Sequence, residues 1–408
     1  MNVNIKQPAL VTTPKVAVVH EWFDGYAGSE RCVEQFLQLY PEAGLFAIVD
    51  FLDDRHRHIL HGRRAECSFL QRFPWARTKF RSFLPLMPLA VEQFDVSPYD
   101  VVISSSHAVA KGVVTRGDQL HISYVHTPIR YAWDMQHEYL REGGLTRGIK
   151  GMLARLALHY LRLWDRAAAD RVDVFVANSY FVARRIRKTY RRPAHVIYPP
   201  VDVHQFSLSL DRDDYYVTAS RLVPYKKVDL LVEAFRLLPD KKLVVIGDGP
   251  EMARLQKKAP SNVEWAGFVN EQQLNEKVGR AKAFLFAAEE DFGIAPVEAQ
   301  ACGTPVIALG RGGALETVLE GQTGMFFSEQ TAEAIADCVM RFEKSEQPFE
   351  PELIREHALR FSEARFRTEF KQLLDEEWDT FQREGQPDWA LTSGLNKEHA
   401  VPNRPVPR

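Results

Sequence analysis

The stretch from Ala283 to Val306, AFLFAAEEDFGIAPVEAQACGTPV, limits the possible folds more than any other part of the chain. An apolar run of strand length, Ala283 to Ala288, stops abruptly at Glu289, Glu290 and Asp291. Gly293 follows, and Pro296 falls where a first helical turn tolerates a missing N–H. A helix through Val297–Ala301 is expected to end at Gly303 and Pro305, with a second buried strand, Pro305–Leu309, leaving it. Strand, turn, helix and strand make one βαβ unit. Open sheets built from such units bind ligands at the carboxyl ends of their strands.

Two carboxylates stand in this unit, Glu290 in the turn and Glu298 in the helix. A turn carboxylate can reach a sugar, and an early helical one can accept both hydroxyls of a ribose diol. The N–H groups of Phe292, Gly293 and Ile294 at the helix start suit an anion or a hydroxyl. Acids are also favoured at any helix N-terminus. Spacing alone leaves both readings open.

The unit recurs along the chain. At 408 residues the chain is too long for one core, so two domains are expected. In the first half, Lys15–His20 reads as a buried strand, followed by a loop containing Gly25 and Gly28 and a helix from Glu30 to Leu39. Such a loop turns N–H groups and a positive helix end toward a phosphate. Further strands are expected at Gly44–Phe51, Tyr99–Ser104, His121–Val125 and Val172–Asn178, with helices at Gly148–Ala169 and Phe181–Tyr190. His126 follows a strand and is fixed by Thr127-Pro128, which suits either a ligand contact or a satisfied structural histidine. Pro199-Pro200 continues neither element type and marks a hinge at Tyr198–Asp202.

The second half repeats the pattern, with strands at Tyr215–Ala219, Lys242–Ile246 and Val263–Trp265 and a helix at Val228–Leu238. Alternating short apolar strands and helices indicate doubly wound parallel sheets. Arg221 and Lys226 lie just past one strand end, Gly247 opens a tight turn after the next, and Phe268-Val269 follows the third. Two cations, a glycine turn and two glutamates thus fall on one sheet edge, where a diphosphate would be paired.

Charge is unevenly divided. Residues 1–200 carry 27 Lys and Arg against 19 Asp and Glu, leaving 25 against 35 for the remainder. Different partners for the two halves are expected. Arg55 to Arg81 holds eight Lys and Arg with a single acid, Glu66, interleaved with Phe69, Leu70, Phe73, Trp75 and Phe80. That mixture suits an anionic membrane surface, or else a solvated helical face over ordinary core. Nucleic acid is not expected, because no recognition module is visible. Cys32, Cys67, Cys302 and Cys338 have neither metal nor disulfide spacing, which suits a reducing compartment. Met1–Pro14 lacks the apolar core of a secretory signal, and no run of 18 apolar residues exists to span a membrane.

Several motifs together resemble the retaining GT-B glycosyltransferases of family four. The general pattern is carried by SRLVPYKKVDLLVEAF, VVIGDGPE, EWAGFV and EEDFGIAPVEAQACGTPVIALGRGGALETV. VVHEWFDG, FLPLMPLAVEQFD, YDVVISSSHAVAKGV, HTPIRYAWD and VIYPPVD are similar to the branch typified by O-antigen mannosyltransferases. The resemblance spans roughly Lys15 to Phe381.

It implies an α/β GT-B architecture, two Rossmann-like doubly wound domains facing across a cleft. Residues 1–199 would form the acceptor-side domain and 200–360 the nucleotide-sugar domain. Residues 361–384 would be a helix crossing back to the first domain, and 385–408 a disordered tail. The implied roles are Glu290 against the donor sugar, Glu298 on the donor ribose, and Arg221 with Lys226 on the diphosphate. Gly28 would approach the phosphate, Phe268 and Val269 would border the base, and His126 would orient the reacting sugar. Gly247, Phe292, Gly293 and Ile294 would complete the donor site. Relatives usually have Gly-Gly where this chain has Gly28-Ser29, and the added Cβ and hydroxyl put the phosphate contact there in question. No metal or cofactor is implied. The implied activity is hexosyl transfer, with mannose from GDP-mannose first and a UDP-sugar as the alternative, to a lipid-linked saccharide at the cytoplasmic membrane face. A non-catalytic membrane-bound partner in polysaccharide assembly is the reading from another class. An intact Glu290, Glu298, Arg221, Lys226 and His126 oppose it.

Overall fold

The computed structural model describes residues 13–345 and 349–384, two doubly wound lobes joined by paired crossings. The first lobe holds a seven-stranded sheet in the order β3-β2-β1-β4-β5-β6-β7, with every pair parallel. Its strands are β1 Val16–Phe23, β2 Gly44–Asp50, β3 Glu66–Cys67, β4 Val101–Ser106, β5 Leu120–Val125, β6 Val174–Ala177 and β7 His195–Val196. The second lobe holds six parallel strands in the order β10-β9-β8-β11-β12-β13. These are β8 Tyr216–Ala219, β9 Leu243–Ile246, β10 Val263–Gly267, β11 Ala283–Phe286, β12 Val306–Leu309 and β13 Gly324–Phe327. Both sheets are apolar on both faces because helices cover each side, as parallel sheets require.

In each sheet the strand order reverses once, between β1 and β4 in the first and between β8 and β11 in the second. At a reversal the flanking connections leave in opposite directions and open a crevice above the strand ends. The loop before Gly28 follows β1, Lys226 follows β8, and Glu290 follows β11. The two crevices face each other.

Most expected elements are present with ends shifted by a few residues. The helix expected at Val297–Ala301 starts at Ile294, with Gly293 at φ +89 immediately before it. Strand β1 runs three residues past His20 to Phe23, although Glu21 reads as a loop residue. Its carboxylate Oε1 accepts bonds from the His107, Ala108 and Ala110 N–H groups and the Ser106 hydroxyl, at 2.8–3.2 Å. Four donors on one oxygen offset much of the cost of burying this carboxylate completely.

The chain crosses between lobes twice, side by side. Val201 N–H donates to Phe361 O at 2.9 Å, and Arg365 donates to the Tyr198 and Pro199 carbonyls. The final helix, Glu363–Glu384, then lays Phe366, Phe370, Leu373 and Leu374 into the first lobe's core. Phe370 packs on Phe36 with the rings tilted and their centres 4.5 Å apart, and Phe366 packs on Tyr124 at 5.6 Å. Each such buried ring contributes about 2–3 kcal/mol of transfer free energy. The expected tail, 385–408, lies outside the described residues.

The basic stretch Arg55–Arg81 is divided between surface and core. Phe80 is core, packed against Trp22 and Phe51, and Arg81 is paired with Asp24 at 2.6 Å. Alternating Phe and Arg here turns one set inward and the other outward, so only Trp75 and Phe69 remain well exposed. A larger apolar surface lies on the Gly148–Ala169 helix. Ile149, Met152, Leu153, Leu156, Tyr160 and Leu163 are all exposed, and their three- and four-residue steps align them on one face. No helix among the described residues is long and apolar enough to cross a membrane.

Candidate functional site

A cavity of about 560 Å³ lies between the lobes. From the first lobe Gly28, Ser29, Arg31, His107, His126 and Arg130 line it. From the second come Lys226, Glu290, Phe292, Gly293, Ile294 and Glu298. A smaller cavity of about 400 Å³ adjoins it, sharing Ala219, Ser220, Ala295 and Glu298. Arg221, Gly247, Phe268 and Val269 line this second space. All the residues singled out in the sequence therefore lie on one continuous crevice, divided between two compartments. Arg221 is not beside Lys226: it stands exposed at the smaller cavity's rim, while Lys226 faces the larger one.

The second-lobe side is shaped by backbone packed on backbone. Gly313 N–H donates to Glu290 O at 2.8 Å, which holds the Glu290 turn. A Cβ at Gly313 would stand 2.3 Å from Phe292 Cα, so only glycine fits. Gly247, at φ +123, would place a Cβ 1.9 Å from Ser220 O. Phe292 is itself buried, its ring against Tyr198 and Phe361, so it offers the cavity backbone rather than side chain.

The charged groups that the second lobe turns to the larger cavity are already paired. Lys226 Nζ donates to Glu290. Burial pulls the Lys226 pKa down, but Glu290 raises it overall and keeps the ammonium charged. Arg31 of the first lobe donates to Glu298 at 2.9 Å across the cleft. Burial likewise lowers the Arg31 value and Glu298 outweighs it. Asp291, beside Glu290, binds Arg130 and Arg185, both from the first lobe. Among the described residues no group of His, Cys, Asp and Glu is arranged to hold a metal ion.

The first-lobe side is built differently, from buried ionisable groups. Glu30 accepts from Ala27 N–H at 3.0 Å and meets His20 Nε2 at 3.3 Å, bracing the loop that presents Gly28. Glu21 Oε2 lies 3.1 Å from His107 Nδ1. Burial favours a neutral Glu21, yet His107 and His20 hold it well below the ordinary carboxylate range. Burial lowers the His107 pKa while Glu21 raises it overall, and the ring faces the cavity. His126 is the opposite case. Burial, then the charges of His107 and His20, push it down to about 3, so it is neutral and bonds Ser105 Oγ at 2.9 Å through Nε2.

Gly28 approaches the other lobe closely, since a Cβ there would stand 2.8 Å from Ile294 Cδ1. Ser29 lines the cavity beside it. Arg31, Arg130, Asp291 and His107 are site residues that sequence reasoning missed. His107, Arg130 and Asp291 sat inside quoted motifs and Arg31 outside them, but nothing in spacing told a cleft-facing side chain from a surface one.

Two family models match consecutive parts of the chain. Glycosyltransferase Family 4 covers residues 26–205, and Glycosyl transferases group 1 covers 202–364. A GDP-mannose-dependent alpha-(1-6)-phosphatidylinositol monomannoside mannosyltransferase of Mycolicibacterium smegmatis is 34% identical over 140 residues, 30% of this chain and 37% of that protein. Its namesake from Mycobacterium tuberculosis is 30% identical over 205 residues, 43% of this chain and 53% of that protein. The matched stretch thus spans about half or less of these relatives' length. Anabaena HepE, solved in complex with UDP-glucose, superposes with a TM-score of 0.63 at 18% identity, covering 89% of this chain and 100% of its own.

Proposed function

From the premise that the chain belongs to the GT-B glycosyltransferases of family four, we propose that its cleft transfers a hexose from a nucleoside diphosphate to a lipid-linked saccharide. The observation that carries this reading is the convergence of Lys226, Glu290 and Glu298 from one lobe with the Gly28 loop and Arg31 from the other, around one cavity. Glu298 takes the donor ribose and exchanges Arg31 for the diol. Lys226 leaves Glu290 for the diphosphate, and Glu290, released, accepts from the hexose hydroxyls. The base occupies the smaller cavity against Phe268 and Val269.

Cleavage of the bond between C1 and phosphate leaves positive charge on the sugar and adds a third negative charge to the diphosphate, the second on its terminal phosphate. Preorganised cations lower that barrier because they need no reorganisation as charge develops. Lys226, Arg31 and the backbone N–H groups from Phe292 to Ile294 supply them, so the reaction is proposed to be metal-independent. The carboxylates facing the cavity are each neutralised by a cation of the chain rather than left to share an ion. The acceptor hydroxyl attacks from the face the diphosphate leaves, and a leaving-group oxygen takes its proton, so configuration is retained. Neutral His126 orients the hexose without adding charge beside the developing cation.

The relatives named as GDP-mannose-dependent support mannose as the hexose. A UDP-sugar is the second reading, favoured by the UDP-glucose bound to the structural neighbour. The apolar face of the Gly148–Ala169 helix, flanked by Lys150, Arg155 and Arg166, supports peripheral docking on an anionic, cytoplasmic membrane face as part of polysaccharide synthesis. Calorimetric titration of GDP- and UDP-sugars, followed by NMR of the product's anomeric centre, tests the proposal. A single preferred donor and a retained configuration are expected. No binding of any nucleotide sugar would overturn it.

A further inference from the structure

Asp291 has no function in the donor scheme just given, yet it is the most heavily engaged carboxylate in the cleft. Its side chain is 9% exposed and lies between two arginines of the opposite lobe. Arg130 donates to Oδ2 through Nε at 3.0 Å and also through its terminal nitrogen. Arg185 donates to Oδ1 at 2.6 Å. A buried carboxylate that occupies both oxygens with charged donors is a strong and geometrically exacting contact.

The placement of the two arginines gives this contact its meaning. Arg130 belongs to the segment after β5 that begins with His126. Arg185, on the Tyr180–Tyr190 helix, also donates to Thr127 Oγ1 at 2.7 Å and to Asp134 at 2.5 Å, so it holds both ends of that segment. Asp291 is the residue between Glu290 and Phe292, and the Glu290 turn is anchored by Gly313. One carboxylate therefore ties the segment carrying His126 to the turn carrying Glu290. We infer that Asp291 is a positioning residue whose bonds to Arg130 and Arg185 hold the two lobes in register, bringing His126 and Glu290 to opposite sides of the same hexose.

The inference rests on the transfer reading for its effect on rate, but not for its effect on shape. Lobe registry is a property of the ligand-free chain. Most donor contacts, at Lys226 and Glu298, belong to the second lobe and only the Gly28 loop and Arg31 to the first, so loosening the registry should weaken nucleotide affinity slightly and reduce turnover far more.

The test uses the full chain with Asp291→Asn, and independently with Arg130→Gln and Arg185→Gln together, so the contact is broken from either lobe. Small-angle scattering without ligand, GDP and UDP affinity by calorimetry, and turnover with the better nucleotide's sugar are measured. Circular dichroism confirms folding. Both variants are expected to show a larger radius of gyration, nucleotide affinity within about threefold of the parent, and kcat lowered at least tenfold. Asp291→Glu should recover part of the loss. Compact scattering in both variants would overturn the inference, as would a loss of turnover in Asp291→Asn that the double arginine variant does not share. If the parent turns over no nucleotide sugar, the transfer reading fails while the scattering result still decides the registry.

Discussion

The two faces of the cleft come from the same architecture and solve the same problem in opposite ways. Each sheet is parallel, reverses order once, and presents loops at that reversal. The second lobe shapes its loops with glycines packed against backbone and leaves its ionisable groups at the cavity surface. The first lobe backs its cavity-lining His107 and His126 with the buried Glu21, Glu30 and His20. Chemistry that stabilises a departing diphosphate needs accessible cations. Chemistry that holds a neutral imidazole beside a carboxylate-paired one needs a dry, fixed surround. The comparison teaches that a shared fold sets where a site lies, while the filling of the strand ends sets what each half can do.

The largest effect expected is on the second-lobe face. Lys226→Ala should cost about 2–4 kcal/mol of transition-state stabilisation, a loss of roughly thirty- to a thousand-fold in turnover. Glu298→Ala should instead weaken nucleotide binding, which separates the two roles by steady-state kinetics and calorimetry. Near-parental rates in Lys226→Ala would break the contrast, because the accessible cations would then be dispensable.

Next is Gly313→Ala, whose new methyl would be forced against the Phe292 backbone. A destabilisation of about 3 kcal/mol is expected, seen as a lower melting temperature at every pH. An unchanged melting temperature would mean that the Glu290 turn is not held by this close packing.

The first-lobe face should show itself through pH rather than through a single truncation. His126, pushed down to about 3, and His121, pushed down to about 4 chiefly by burial, remain neutral in the folded chain. Below their ordinary value of 6.5 the unfolded chain takes up protons that the folded chain refuses, so stability falls as pH falls toward those native values. About 1–3 kcal/mol per pH unit is expected for the pair. His107 acts with the opposite sign. Its raised value makes its contribution full below 6.5 and loses it as pH rises through the folded value. His121 bonds Ser104 Oγ at 2.8 Å away from the cavity, so His121→Gln should flatten part of the acid limb without touching the site. Denaturant titrations from pH 4 to 8 would check this, and an acid limb identical to the parent's would remove His121 from the account.

The smallest effect belongs to a more exposed pair across the cleft, Arg31 with Glu298. Both side chains are partly exposed, at 18% and 17%, so Arg31→Ala should change stability by less than about 1 kcal/mol. Its influence should appear in donor binding, with a weaker dependence of nucleotide affinity on salt.

Much of this was legible in the sequence because it depends on local order. Alternating strands and helices, the glycine turns, the Pro pair at 199–200 and the spacing of Glu290 and Glu298 each act within one βαβ unit, and periodicity reads such units directly. Glu21 was misread for the same reason: a carboxylate in a strand looks wrong until the turn at 106–110, some 85 residues away, supplies its donors. Phe80 likewise shares its alternation with exposed Phe69, and only the packing of Trp22 and Phe51 assigns it to the core. The pairings of Arg31 with Glu298 and of Arg130 and Arg185 with Asp291 span 106 to 267 residues and cross between lobes. An arginine's reach of several ångströms permits many partners, and local sequence cannot rank them. The sequence determined two sheets, their reversals and the chemistry at each strand end. Only the tertiary structure decided which of those ends face one another, because that depends on the paired crossings at 198–202 and 361–365 and on the last helix buried in the first lobe's core.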